Sequence, residues 1–157
     1  MKTRRSDTRV LRAAARFYAV QALFQMEAGG QTVESVRAEF ETHRIGIADD
    51  ETGEMLAEAD LALFRRVLDA AVNWQATIDQ LTDRALVAKW PIGRIDPTLR
   101  AVFRAAGAEL TQTTTPPKVI ITEYVDVAKA FFPEGREAKF VNAVLDHMAH
   151  EARPEAF

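Results

Sequence analysis

Apolar residues recur along this chain at three- and four-residue steps almost everywhere, and nowhere do they alternate over strand length. That regularity restricts the fold to packed helices, because such spacing gathers side chains on one face only when the segment is helical. Positions 9 to 26 show it most fully. Placed at about 100° per residue, Leu11, Ala15, Tyr18, Ala19, Ala22, Leu23 and Met26 share one broad arc that must face a core. Val33, Val36 and Phe40 predict a second helix with Thr32 as its N-cap. From Leu61 through Phe64, Leu68, Ala71, Ile78, Leu81 and Ala85 runs one long helix, or two broken near Thr77. Trp90-Pro91 ends it, since the residue before a proline is pushed out of the helical region. Asp96-Pro97 reads as an N-cap followed by proline at the first helical position, with Leu99, Val102, Phe103, Ala106 and Leu110 as the buried stripe. Ile120, Tyr124, Val127 and Phe131 mark the next helix, which Phe132-Pro133-Glu134-Gly135 stops. Phe140, Val141, Val144, Leu145 and Met148 mark the last, and Arg153 to Phe157 read as frayed. The expected class is all-α, about six to seven helices in two small bundles. The expected division is 1–92 and 93–157, with Gly93 beside Trp90-Pro91.

Several chemistries are excluded. There are no cysteines, hence no disulfides, zinc-cysteine sites or thiol catalysis. No run of 18 apolar residues offers a membrane span. Arg12 and Arg16 interrupt any apolar segment behind the basic N-terminus, which argues against a secretory signal. The expectation is a soluble, cytoplasmic protein. No glycine-rich loop follows a strand, so phosphate-loop and dinucleotide fingerprints are absent. The two serines, Ser6 and Ser35, have no histidine nearby, and His147 with His150 falls short of a closed metal site. Acidic residues crowd positions 41 to 60 (Asp49, Asp50, Glu51, Glu54, Glu58 and Asp60), but without the alternating ligands and central glycine of a calcium loop. That segment reads as a mobile loop leading into a helix start, where carboxylates suit the positive end of the dipole. A binding protein without cofactor, metal or catalysis is expected.

Charge points to what it binds. Lys2, Arg4, Arg5, Arg9, Arg12 and Arg16 oppose only Asp7, a local +5 in a chain of formal net charge −3. Such an asymmetry suggests a polyanion-binding terminus on an acidic body. Arg9, Arg12, Arg16, Val20 and Phe24 follow one another along one edge of the apolar arc. Guanidinium groups followed by an aromatic can pair with phosphates and then stack on a base. A solvated basic face, with Phe24 tucked into the core, is the plainer alternative.

Three blocks carry a resemblance. The first is Ala15-Arg16-Phe17-Tyr18-Ala19-Val20-Gln21-Ala22-Leu23-Phe24. The second is Leu99-Arg100-Ala101-Val102-Phe103-Arg104, then Glu109-Leu110, Val119-Ile120-Ile121-Thr122-Glu123 and Ala128-Lys129. The third is Lys139-Phe140-Val141-Asn142-Ala143-Val144-Leu145-Asp146. In this order and spacing they resemble the NusB family of bacterial transcription antitermination factors. The resemblance covers most of residues 9 to 30 and 60 to 150 and fails over roughly 31 to 58. It implies an all-α fold of two three-helix-like bundles. It also implies binding of the boxA element of nascent ribosomal RNA together with NusE, a small-subunit ribosomal protein. That pair would join NusA, NusG and RNA polymerase in an antitermination complex.

Residue by residue, the resemblance places Arg12, Arg16 and Phe24 on an RNA face, with Arg4, Arg5 and Arg9 extending it and Lys139 as a further RNA candidate. Single-stranded boxA would expose its bases for stacking. Neither Arg12 nor Arg16 lies at the centre of the buried arc, so their removal is expected to leave the helix folded. Asn142 either ties two helices together or touches a partner. Family members often carry an acid immediately before the arginine matching Arg100; here that position is Leu99, with Asp96 a turn earlier. The NusE contact is therefore expected among Asp96, Leu99 and Arg100. Ala143 replaces a glycine, which implies a slightly looser helix approach there, and Phe24 replaces a frequent tyrosine. Two rival readings remain: a helical interaction module of the same superfamily without specific RNA binding, and a homodimer that buries the RNA face. The resemblance extends to accessory domains of RNA cytosine methyltransferases, and with the sequence ending at Phe157 no such enzyme domain is expected.

Overall fold

The structure is a computed structural model that describes residues 4–49, 51–86 and 94–157, with side chains from residue 7 onward. Its described residues form seven α-helices and no strand: α1 Arg4–Gly29, α2 Val33–His43, α3 Leu61–Asn73, α4 Gln75–Ala85, α5 Pro97–Gln112, α6 Pro117–Phe131 and α7 Arg136–Ala152. Among the described residues no helix is long and apolar enough to cross a membrane. The chain divides into two compact units, Met1–Asp69 and Ala70–Phe157. The division falls inside α3, and α4 packs on α5 and α7. The boundary expected near residue 92 lies outside the described residues.

In the first unit the periodic arc of α1 is buried as its spacing demands: Ala15, Tyr18, Ala19, Ala22 and Leu23 are all inside. Thr32 caps α2, its hydroxyl accepting the Ser35 amide at 3.1 Å. An aromatic line holds the unit together. Tyr18 meets Phe40 edge-on at 6.3 Å, and Phe40 stacks on Phe64 at 5.9 Å. Above the Phe40 ring lies the Arg44 guanidinium, 4.5 Å from its centroid. The Tyr18 hydroxyl donates to the Ala57 carbonyl at 2.7 Å, so this buried phenol is satisfied. Burial pushes its pKa above the ordinary tyrosine value, with Arg44 partly offsetting the rise.

The acidic segment is a loop that leads into the start of α3, and it contains turn contacts that its composition does not predict. Ala48 and Met55 form an isolated antiparallel bridge. Across the turn between them, Asp49 Oδ1 accepts the Glu51 and Thr52 amides at 2.8 and 2.9 Å. These backbone bonds hold the Asp49 carboxyl below its usual pKa. Composition alone cannot show this, because an aspartate that closes a turn looks the same in sequence as a solvated one.

In the second unit α5 is the central helix, packed against α4, α6 and α7, and almost every residue from Leu99 to Leu110 is buried. Asp96 caps it, accepting the Thr98 amide at 2.7 Å, and Pro97 opens it, as the sequence predicts. Arg104 grips Asp79 of α4 through two bonds, at 3.0 and 2.9 Å. Tyr124 donates to buried Glu109 at 2.5 Å. The break between α3 and α4 falls at Trp74 rather than Thr77. Gly135 adopts φ +84°, a left-handed turn that lets α7 start at once after α6.

Beyond α7 the chain is ordered where fraying was expected. A 3₁₀ turn spans Pro154–Ala156. The Arg153 guanidinium donates to the carbonyls of Leu110, Thr115, Glu109 and Thr113, and Phe157 stacks on His150 with centroids 3.6 Å apart. A long-range clamp of this kind leaves no periodic trace in the sequence.

Candidate nucleic-acid interface

Helix α1 carries the basic stripe, and only part of it reaches solvent. Arg9 and Arg12 are exposed and Phe24 is 40% exposed, whereas Arg16 is 3% exposed and Val20 is fully buried. Arg9, Arg12, Arg16 and Val20 fall within one sector of about 80° at helical spacing. From Ala15 onward that sector faces the interior. Arg9 and Arg12 stay outside because they precede the packed stretch. Arg16 therefore lies inside the core rather than at the edge of the buried arc, which removes the ground for expecting the helix to stay folded without it. Phe24 sits on the outer edge, so it is not the core residue of the plainer reading. Arg4 and Arg5 begin the helix, but their side chains lie outside the described residues.

Arg12 has a neighbour that periodicity did not single out. Its Nε lies 3.8 Å from Asp60 Oδ2, with the arginine side chain 56% exposed. Asp60 is the cap of α3, its Oδ1 accepting the Leu63 amide at 3.0 Å, and its own amide donates to the Leu11 carbonyl at 3.0 Å. A carboxylate just before a helical stripe signals the cap, but nothing local signals the arginine 48 positions earlier. Twelve residues separate Arg12 from Phe24, about 18 Å along the axis at 1.5 Å per residue. A ligand that touches both must be extended, which suits a single strand and not a mononucleotide.

The remaining candidates lie in the second unit. Lys139 is exposed on α7. Asp96 is exposed but engaged as the α5 cap. Leu99 is 8% exposed, a core residue rather than a contact surface, and half-buried Arg100 donates to the Ile95 carbonyl at 3.2 Å. A partner meeting this helix would reach Asp96 more readily than Leu99. Asn142 and Ala143 both face solvent, so Asn142 does not tie helices together and no neighbouring helix is loosened at Ala143. Among the described residues no group of three or more histidines, aspartates or glutamates is placed to hold a metal ion.

Comparison with known proteins shows which family the chain resembles. Residues 13–150 match the NusB family. The transcription antitermination protein NusB of Agrobacterium fabrum is 47% identical over 146 residues, covering 92% of this chain and 87% of that protein. The solved structure of T. maritima NusB superposes with a TM-score of 0.71 at 30% identity, covering 100% of this chain and 99% of that one. A crystal structure of the antitermination factors NusB and NusE in complex with dsRNA shares the fold, with a TM-score of 0.67 at 22% identity and coverage of 88% and 96%. With a family match over most of its length and a near-full-length relative at this identity, the chain belongs to the NusB family of transcription antitermination proteins.

Proposed function

We propose that this protein acts in the cytoplasm as an antitermination factor that binds single-stranded boxA RNA together with NusE, by recognition and without catalysis. The observation that carries this reading is the exposure of Arg9, Arg12 and Phe24 on one helix of a NusB-family chain. The arginines supply salt-dependent attraction to phosphates. Phe24 supplies a base platform worth about 1–3 kcal/mol. Arg4 and Arg5 extend the positive arm, and Lys139 adds a further cation on α7. NusE meets the second unit around Asp96 and Arg100, and the assembly joins NusA, NusG and RNA polymerase.

Fluorescence anisotropy of a labelled boxA RNA and a scrambled control, with and without NusE across a salt series, tests the proposal. Tighter binding to boxA that NusE enhances is the expected result. Equal binding to both RNAs at every salt would reduce the basic arm to an electrostatic tether and leave a helical interaction module. Sedimentation in the same buffers tests the homodimer alternative: a mass independent of concentration removes it.

A further inference from the structure

A carboxylate stands beside Arg12 where an incoming phosphate would pair. Asp60 Oδ2 lies 3.8 Å from Arg12 Nε. Its position does not depend on that ion pair. The other carboxylate oxygen accepts the Leu63 amide at 3.0 Å, the Asp60 carbonyl accepts the Phe64 amide at 3.0 Å, and the Asp60 amide donates to the Leu11 carbonyl at 3.0 Å. With one carboxylate oxygen tied to the Leu63 amide and its main chain held by the other two bonds, Asp60 is the less mobile member of the pair when an anion arrives. The long, exposed arginine side chain has to move instead.

We propose that Asp60 competes with RNA phosphate for Arg12 and thereby sets the affinity of this end of α1; the inference rests on the RNA-binding reading of Arg12. The competition has a thermodynamic signature. A cation-bearing site that is already partly neutralised attracts polyanions weakly. Once a phosphate takes Arg12, the stranded Asp60 carboxylate recruits a cation from solution, which cancels the counterion that the RNA released. The site therefore adds little sequence-independent attraction and shifts the burden of recognition to contacts such as Phe24.

Asp60→Asn and Asp60→Ser remove the charge, and both residues are good helix N-caps, so α3 keeps its start. Anisotropy is measured for each variant with boxA and scrambled RNA across a salt series, in the wild-type background and with Arg12→Ala. The expected result is binding about two- to fivefold tighter to either RNA at low salt, the range an exposed ion pair can withhold. The log affinity against log salt line should steepen by up to about 0.7. Both gains should vanish in the Arg12→Ala background. A gain that persists without Arg12 would mean general repulsion and overturn the proposal. So would no gain in a protein whose RNA affinity Arg12→Ala does lower. If Arg12→Ala leaves RNA affinity unchanged, the RNA reading of Arg12 falls, and the competition falls with it.

Discussion

At Gly107 a methyl group has nowhere to go. A Cβ built there would lie 2.5 Å from Ile78 Cγ2 and 3.4 Å from Met148 Cε, so α5 approaches α4 and α7 at hydrogen-atom range. In a free helix Gly→Ala would stabilise by about 1 kcal/mol. Here the overlap dominates, and Gly107→Ala is expected to destabilise by about 1–3 kcal/mol, read as a lower midpoint in thermal unfolding. A raised midpoint would show that Ile78 can yield. Tyr18 makes a different residue-scale claim. Its folded pKa is raised by burial, so above the ordinary value near 10 the unfolded chain sheds a proton that the folded chain keeps. The unfolded state then binds fewer protons, and stability must fall as pH climbs past that value. Tyr18→Phe should flatten this alkaline decline in urea-unfolding midpoints measured between about pH 8 and 11, while losing the bond to Ala57. An unchanged slope would place the phenol in solvent.

Helices were legible from sequence because their period is local; their joints were not. The stripes of α1, α2, α5, α6 and α7, the Thr32 and Asp96 caps and the Gly135 turn all follow from neighbours within a few positions. Three features depend on distant chain and stayed hidden. Arg16 and Val20 share a helical sector with Arg9 and Arg12, so only the packing shows where exposure ends. Leu99 reads equally as part of a buried stripe and as a departure at a partner site, and burial decides for the stripe. Arg153 reaches back over 40 positions to the end of α5, where it supplies donors to carbonyls that the helix cannot pair itself. Arg153→Ala should strand those acceptors and cost about 1–3 kcal/mol in denaturant unfolding. Arg153→Lys should recover only part, because a single ammonium cannot serve four divergent carbonyls. Full recovery would mean that charge at the helix end, rather than the planar fork, is what α5 requires.

For the whole molecule, a basic end on an acidic chain makes recognition strongly dependent on ionic strength. The double variant Arg9→Ala, Arg12→Ala should lower the salt slope of RNA binding by about 0.7, nearly all of it from Arg9 because Asp60 offsets the contact at Arg12, with the helix content unchanged. Arg16→Ala should do the reverse: lower the thermal midpoint through its loss from the interior, with little effect on slope. A slope that changes with Arg16 and not with Arg9 and Arg12 would relocate the interface. The three arginines look interchangeable in the sequence, and one pair of titrations separates them.

The division of the chain within α3 bears on how it can be taken apart. A fragment beginning at Ala70 would start in mid-helix, with four amides newly deprived of acceptors and no capping side chain before them. One beginning at Gln75 would discard Ala70 and Ala71, both buried. Neither cut yields a clean C-terminal half, so domain-by-domain expression, the usual shortcut for mapping which part holds which partner, is poorly suited to this protein. Point substitutions in the intact chain are the sounder instrument.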